Sequence, residues 1–390
     1  MPIINRIADF HPELATWRRD LHAHPETAFE EHRTADFVAG RLAEFGIEVH
    51  RGLAGTGVVG TLKGSAPGHR AIALRADMDA LHIHEKNGFE HASQTKGKMH
   101  ACGHDGHTTM LLGAARYLAE TRNFAGTVHF IFQPAEENEG GGRVMVEEGL
   151  FEKFPVEGVY GMHNWPGLAA GQFAVRPGPI MAGSDSWEII VTGKGAHGAM
   201  PHLGVDPIVV ASQIVTALQT IVSRNNHPLE NAVVSVTQFH GGDTWNVIPQ
   251  EVMLRGTARY FRPHVQDMIE ERMKAIAGSV CAAYGASAAV KYMRRYPPVV
   301  NSAAETELAA GVLAGVVGED NVRRDLLPSM GGEDFAFLLL KKPGTYIWIG
   351  NGENREAVHH PSYDFNDEIL PLGASYWARL VEQVLAKTAA

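Results

Sequence analysis

The stretch Lys98-Met-His-Ala-Cys-Gly-His-Asp-Gly-His-Thr-Thr109 decides how this 390-residue chain is read. It brings one thiol (Cys102), three imidazoles (His100, His104, His107) and one carboxylate (Asp105) close together. Directly behind it, Met110-Leu-Leu-Gly-Ala-Ala-Arg-Tyr-Leu118 is apolar at helical spacing. The cluster is therefore expected on a loop that feeds a helix N-terminus, where backbone N–H groups favour negative charge. Upstream, Ile47–Val49, Gly57–Leu62 and Ala71–Arg75 read as strands, the last running into Asp77-Met-Asp79. Downstream, Thr127-Val-His-Phe-Ile-Phe132 is a continuous apolar strand of the kind buried in parallel sheets. It leads into Gln133-Pro-Ala-Glu136-Glu137, and Gly158-Val-Tyr-Gly-Met-His163 repeats the pattern. Strand and helix alternate, with polar residues at strand ends, which predicts an α/β fold with its site at those ends. The sheet is expected to be mixed and mainly parallel, with helices on both faces.

Outward from this centre, helices are expected over 12–24 and 30–45, and near 143–150. From Ser184 the order changes to strand, helix, strand, strand, helix, strand, ending at Arg294. That βαββαβ order is the ferredoxin-like unit. It predicts a satellite domain at 184–295 inserted into a first domain made of 1–183 and 296–390. The C-terminal part returns to α/β, with a helix near 303–317, Gly331-Gly-Glu-Asp-Phe335 opening another, the strand Tyr346–Gly350 and a closing helix over 368–387.

Length alone favours two domains. A net charge of −10 argues against a nucleic-acid or anionic-membrane surface. Two cysteines, Cys102 and Cys281, do not make a disulfide framework, so a reducing compartment is the simpler reading. The first ten residues lack a signal-peptide apolar region, and no run approaches the roughly 20 apolar residues of a membrane helix. The sequence thus predicts a cytoplasmic protein with neither a nucleic-acid nor a membrane partner.

Several stretches carry residue types that can do chemistry. Gly55-Thr-Gly57-Val-Val-Gly60 matches a dinucleotide fingerprint by letter, but a strand follows it instead of a helix, so it reads as a turn. Cys102 is open to three readings: nucleophile, buried thiol or metal ligand. His104 is too near in sequence to be a separately oriented base, and the density of imidazole and carboxylate favours a metal. Glu136-Glu137 is either a solvated acidic pair or a ligand beside a general base. His163 and His359 end short apolar segments. His24, His32, His82, His84, His91 and His129 are read as core or surface residues.

Eight segments in order carry a resemblance. They are Arg19-Asp-Leu-His-Ala-His-Pro-Glu26, Arg75-Ala-Asp-Met-Asp79, Met99-His-Ala-Cys-Gly-His-Asp-Gly-His107, Gln133-Pro-Ala-Glu-Glu137, Gly161-Met-His163, Gly195-Ala-His-Gly198, Asn246-Val-Ile-Pro249 and Gly331-Gly-Glu-Asp-Phe335. Over essentially its whole length the chain resembles the aminoacylase and carboxypeptidase superfamily of metallopeptidases, in the branch of hippurate hydrolase, N-acyl-amino-acid amidohydrolase and plant auxin-conjugate hydrolase. The resemblance implies two divalent ions (Zn, Mn, Co or Ni) and a satellite domain that carries a dimer interface. It implies that Cys102 bridges the ions, with His104 and His163 on one and Glu137 and His359 on the other. Glu136 is then the general base, and His197 reaches a neighbouring subunit's site to polarise the scissile carbonyl. Asn246 and Arg259 hold the substrate's amide and carboxylate.

Two departures from the family pattern stand out. Asp77 occupies a position where most of the superfamily has a metal-binding histidine, and His104 is the natural substitute. His359-His360-Pro361 offers two histidines; the family's His-x-Pro spacing favours His359, with His360 as fallback. Asp79 is expected to orient a ligand. The expected reaction is hydrolysis of an N-acyl or N-aroyl amino acid to a carboxylic acid and a free amino acid, by a homo-oligomer. A dipeptidase or small carboxypeptidase on the same scaffold is the alternative, and a non-catalytic metal-binding protein the rival from another class.

Overall fold

The structure is a computed structural model that describes residues 3–387. Two compact units emerge. One comprises the chain up to Ile180, Val300–Leu327 and the segment from Asp334; the other comprises Met181–Val299 and Pro328–Glu333. The short segment Pro328–Glu333, expected with the first domain, groups with the second. Ser329 bridges Met181, and Ala182 N–H donates to Ser329 O and Gly331 O, both at 3.0 Å.

The first unit is built on an eight-stranded sheet, in the order Glu48–Leu53, Gly57–Lys63, Ala125–Gln133, Ala66–Asp77, Gly158–Pro166, Gly344–Gly352, Phe173–Ala174 and Val322–Arg323. The central four strands run parallel, and Gly57–Lys63 on one side and Phe173–Ala174 on the other pair antiparallel to them. The central strands bury both faces, which is why they read as unbroken apolar runs. Parallel registry aligns their C-terminal ends: Asp77 pairs with Gln133, Arg75 with Gly161, and Met162 with Ile347. The loops carrying Asp79, Glu136 and Glu137 therefore leave the sheet at the same edge as His163.

The central helix, His104–Thr121, is apolar nearly all round because it is enclosed. It packs against His11–Ala23, His32–Glu44, Leu370–Val384 and the Ala66–Asp77 strand. Met110, Leu111 and Leu112 are fully buried, a contribution of about 1.5–3 kcal/mol for each side chain.

Three local expectations are corrected. Histidine 104 begins the helix itself, so His104, Asp105 and His107 lie on its first turn and not on the loop before it. The strand expected at Ala71–Arg75 begins at Ala66; its first residues are exposed and slip register before Ala71, which hides the pattern. The helix expected near 143–150 is two, Gly141–Glu147 and Leu150–Lys153, split by Gly149 at φ 89°.

The second unit holds a four-stranded antiparallel sheet in the order Ala232–His240, Glu251–Tyr260, Gly183–Thr192, Ser287–Tyr296. Helices Pro207–Thr220 and Pro263–Tyr284 pack on it. In Gly183–Thr192 burial alternates strictly, placing Trp187, Ile189 and Val191 against the helices. Pro207–Asn225 is long and apolar enough to cross a membrane by composition, but Val210, Ala211, Ile214, Leu218 and Ile221 are buried in this unit's own core. A two-residue ribbon pairs Ala196–His197 with Val247–Ile248.

Candidate active site

Cysteine 102 is the junction of two groups of ligand-type side chains. Its sulfur lies with His104 and His163 in one group, and with Glu137 and His359 in the other; within each group the ligand atoms are within 4.8 Å of one another. Glu136 belongs to neither, but its carboxylate lies within the same distance of His104 and Glu137 ligand atoms. All six residues belong to the first unit.

Each histidine of the first group has one ring nitrogen committed elsewhere. His104 Nδ1 donates to Asp79 Oδ1 at 3.2 Å, which leaves Nε2 buried with no hydrogen-bond partner. His163 Nδ1 donates to the Asn164 carbonyl at 2.5 Å, which leaves Nε2 3.3 Å from the Cys102 sulfur. Asp79 also accepts the Glu137 N–H at 2.9 Å, so one carboxylate orients residues of both groups. In the second group, Glu137 Oε1 has no hydrogen-bond partner although His359 Nε2 lies 3.1 Å away. These are lone-pair atoms gathered around a common space. Their thiolate, imidazole and carboxylate chemistry fits divalent cations.

The electrostatics agree. Burial, then Glu137, Glu136 and Asp77, push the Cys102 thiol well above its ordinary range. A thiol held protonated is a poor nucleophile at neutral pH, whereas a coordinated one is deprotonated outright, so the nucleophile reading falls away. Burial opposes charge on His104, yet Asp77 and then Asp79 raise its pKa to about 10. Burial and His107 hold His163 well below its usual value.

The remaining residues of the loop are used for support. His107 Nδ1 donates to Asp77 Oδ1 at 2.6 Å, and its Nε2 accepts the Asn164 N–H at 3.0 Å, so neither nitrogen is free. Asp77 is held by Arg75 at 2.6 Å, and Arg75 also reaches Asp334 at 2.9 Å. His100 is buried with neither ring nitrogen bonded, and burial lowers its pKa to about 4, leaving it an uncharged packing group. Glycine is required at 103: φ is 96°, and a Cβ there would meet Asn164 Nδ2 at 2.2 Å. At 106 a Cβ would enter the Phe365 ring at 2.2 Å.

Sequence reasoning missed Asn164, whose side chain donates to the Cys102 carbonyl at 2.6 Å and accepts from Tyr363 Oη at 2.5 Å. Its place directly after His163 was the only signal. It also missed Trp165, whose ring centroid lies 6.2 Å from that of His163 and which stacks on Trp348 at 3.9 Å. His360 faces Glu356 at 3.5 Å and the Ser362 N–H, away from the Glu137 carboxylate that His359 meets.

His197, Asn246 and Arg259 belong to the second unit. His197 is exposed on the two-residue ribbon, where Gly198 N–H donates to Asn246 O at 2.7 Å. Arg259 donates to Met330 O at 3.1 Å and Ala258 O at 3.0 Å, and burial lowers its pKa.

Residues 73–383 match peptidase family M20/M25/M40. The chain belongs to this family. It is accordingly a hydrolase of amide bonds. It is 41% identical to N-acetylcysteine deacetylase of Bacillus subtilis (strain 168), covering 96% of this chain and 98% of that one. It is 40% identical to hippurate hydrolase of Campylobacter jejuni, covering 99% and 100%. Among solved structures, the Bacillus subtilis YXEP protein, described as a dinuclear metal-binding peptidase of the M20 family, superposes with a TM-score of 0.85 at 38% identity, covering 97% and 99%.

Proposed function

We propose that this chain hydrolyses the amide bond of N-acyl or N-aroyl amino acids on a pair of divalent ions held around Cys102. The observation that carries the reading is the sharing of one sulfur by two ligand groups, with Glu136 beside both and a member of neither. His104 and His163 would hold one ion, Glu137 and His359 the other. When bound, the ions supply Lewis acidity toward a carbonyl oxygen and acidify water. Glu136 takes the proton of the attacking water on its carboxylate and returns it to the leaving amine nitrogen. Asp79 fixes the His104 tautomer and the Glu137 backbone throughout.

In the same reading, Asn246 and Arg259 bind the substrate's amide and carboxylate. His197 polarises the carbonyl in a neighbouring copy's site, a donation worth about 3–4 kcal/mol. Dimerisation through the second unit is supported by exposed Ile208, Val209, Phe239, Trp245 and Val247, and by the edge strand Ala232–His240. Two unpaired cysteines suit a cytoplasmic setting.

The test is turnover of benzoyl-, acetyl- and indoleacetyl-amino acids after loading with Zn, Mn, Co or Ni, with metal content measured alongside. Glu136→Gln should keep its metal and lose about 10²–10⁴-fold in kcat. A fully active variant removes Glu136 as the base. A metal-loaded wild type inert toward every acyl amino acid and dipeptide would instead favour a binding protein.

A further inference from the structure

Glu31 opens helix His32–Glu44, its carbonyl accepting the Ala35 N–H at 2.8 Å. A residue in that position ordinarily turns its side chain onto the free N–H groups of the first turn. Here Glu26 does so instead, accepting from Arg33 N–H at 3.0 Å and Thr34 N–H at 2.8 Å. Glu31 is thereby released, and its side chain is fully buried. Oε1 accepts two backbone N–H groups, Ala135 at 2.9 Å and Phe29 at 3.1 Å, and Oε2 accepts the Thr56 hydroxyl at 2.7 Å. Both backbone donors come from non-glycine residues in the left-handed region, Ala135 at φ 55° and Phe29 at φ 61°. Ala135 is the residue that turns the chain from the Ala125–Gln133 strand into Glu136 and Glu137.

We propose that Glu31 is a positioning residue for Glu136: its carboxylate clamps the Ala135 amide and so fixes the left-handed turn that aims the base. The inference rests on Glu136 acting as that base. Left-handed backbone is strained for an alanine. A hydrogen bond to a buried carboxylate offsets that strain. From the other side, Gly141 N–H holds the Ala135 carbonyl at 2.9 Å. The clamp needs reach more than charge. Burial raises the Glu31 pKa to about 7, with the Thr56 bond opposing. A glutamine would reproduce all three contacts, its oxygen accepting both N–H groups and its nitrogen donating to Thr56 Oγ1. An aspartate keeps the charge and falls one methylene short.

The experiment compares Glu31→Gln, Glu31→Asp and Glu31→Ala in the full-length, metal-loaded protein. It reads kcat, KM, metal content, and hydrogen exchange in a peptide spanning Ala135. The expected order of kcat is Gln above Asp above Ala. Gln should stay within about threefold of wild type, Asp should lose about tenfold and Ala about a hundredfold. KM and metal content should remain unchanged, and exchange at Ala135 should quicken in Asp and Ala but not in Gln. The proposal is overturned if Asp is as active as Gln, if exchange at Ala135 is the same in all variants, or if activity falls only in step with metal. Should Glu31→Ala fail to fold, the Gln and Asp pair decides alone. Exchange is read without substrate, so an inert wild type would defeat the proposed reaction and leave the clamp decided on its own evidence.

Discussion

The two groups that share Cys102 are built differently. In the first, His104 and His163 are buried, and each has its second nitrogen fixed by a partner from another loop or a neighbouring carbonyl. In the second, His359 is half-exposed and sits on left-handed backbone at φ 67°, and Glu137 lies nearer the surface. Asp79 serves both groups, but only in the first does each histidine have its second ring nitrogen held by a partner. Under the proposed function, the buried arm holds its ion firmly, and the open arm is the one water and substrate reach.

Removing the shared sulfur is the harshest way to break this comparison. Cys102→Ser should lower the content of both ions and reduce turnover more than about 10²-fold, as read by elemental analysis and hydrolysis rate. Two full equivalents of metal with full activity would mean that Cys102 joins neither arm. A smaller effect sharpens the contrast: His359→Ala should lose one equivalent and keep the other. Loss of both ions, or of none, would erase the difference between the arms.

The smallest effect lies behind the buried arm. His22 is enclosed by Asp105 at 2.8 Å, Glu85 at 3.1 Å, Arg18, His91 and His100. Burial opposes its charge, but the Asp105 and Glu85 bonds raise its pKa to about 9. Its proton stabilises the fold fully below about pH 6.5, and that contribution is lost as pH rises toward the folded value. Thermal melts of the wild type should therefore fall more steeply between about pH 6.5 and 9 than those of His22→Gln. Metal content should stay constant across that range. A parallel loss of metal in the variant would show that the buried arm leans on this cluster as well as on Asp79.

How much of this was legible beforehand follows from how information is laid along a chain. Cys102, His104, Glu136, Glu137 and His163 lie in short motifs at strand or helix ends, so residue type and position marked them as candidates, and the family resemblance supplied their proposed roles. Asp79 was visible for the same reason. Glu31 was not: its partner Ala135 is 104 positions away, and a glutamate at a helix start reads as an ordinary cap. The His22 contacts with Asp105 and Glu85 are equally remote, at separations of 83 and 63. A buried polar pair made by tertiary folding leaves no period in the sequence. The start of the Ala66–Asp77 strand is exposed and lacks alternation, so the sequence marks only its buried part.

The stacking of Trp165 on Trp348, beside the His163 ring, has a practical consequence. The indole pair is a chromophore placed next to a proposed ligand, in a chain with only six tryptophans. Filling of the buried arm thus has a spectroscopic address: ultraviolet emission can follow ion uptake there without a label, and Trp165→Phe supplies the blank against which that signal is read.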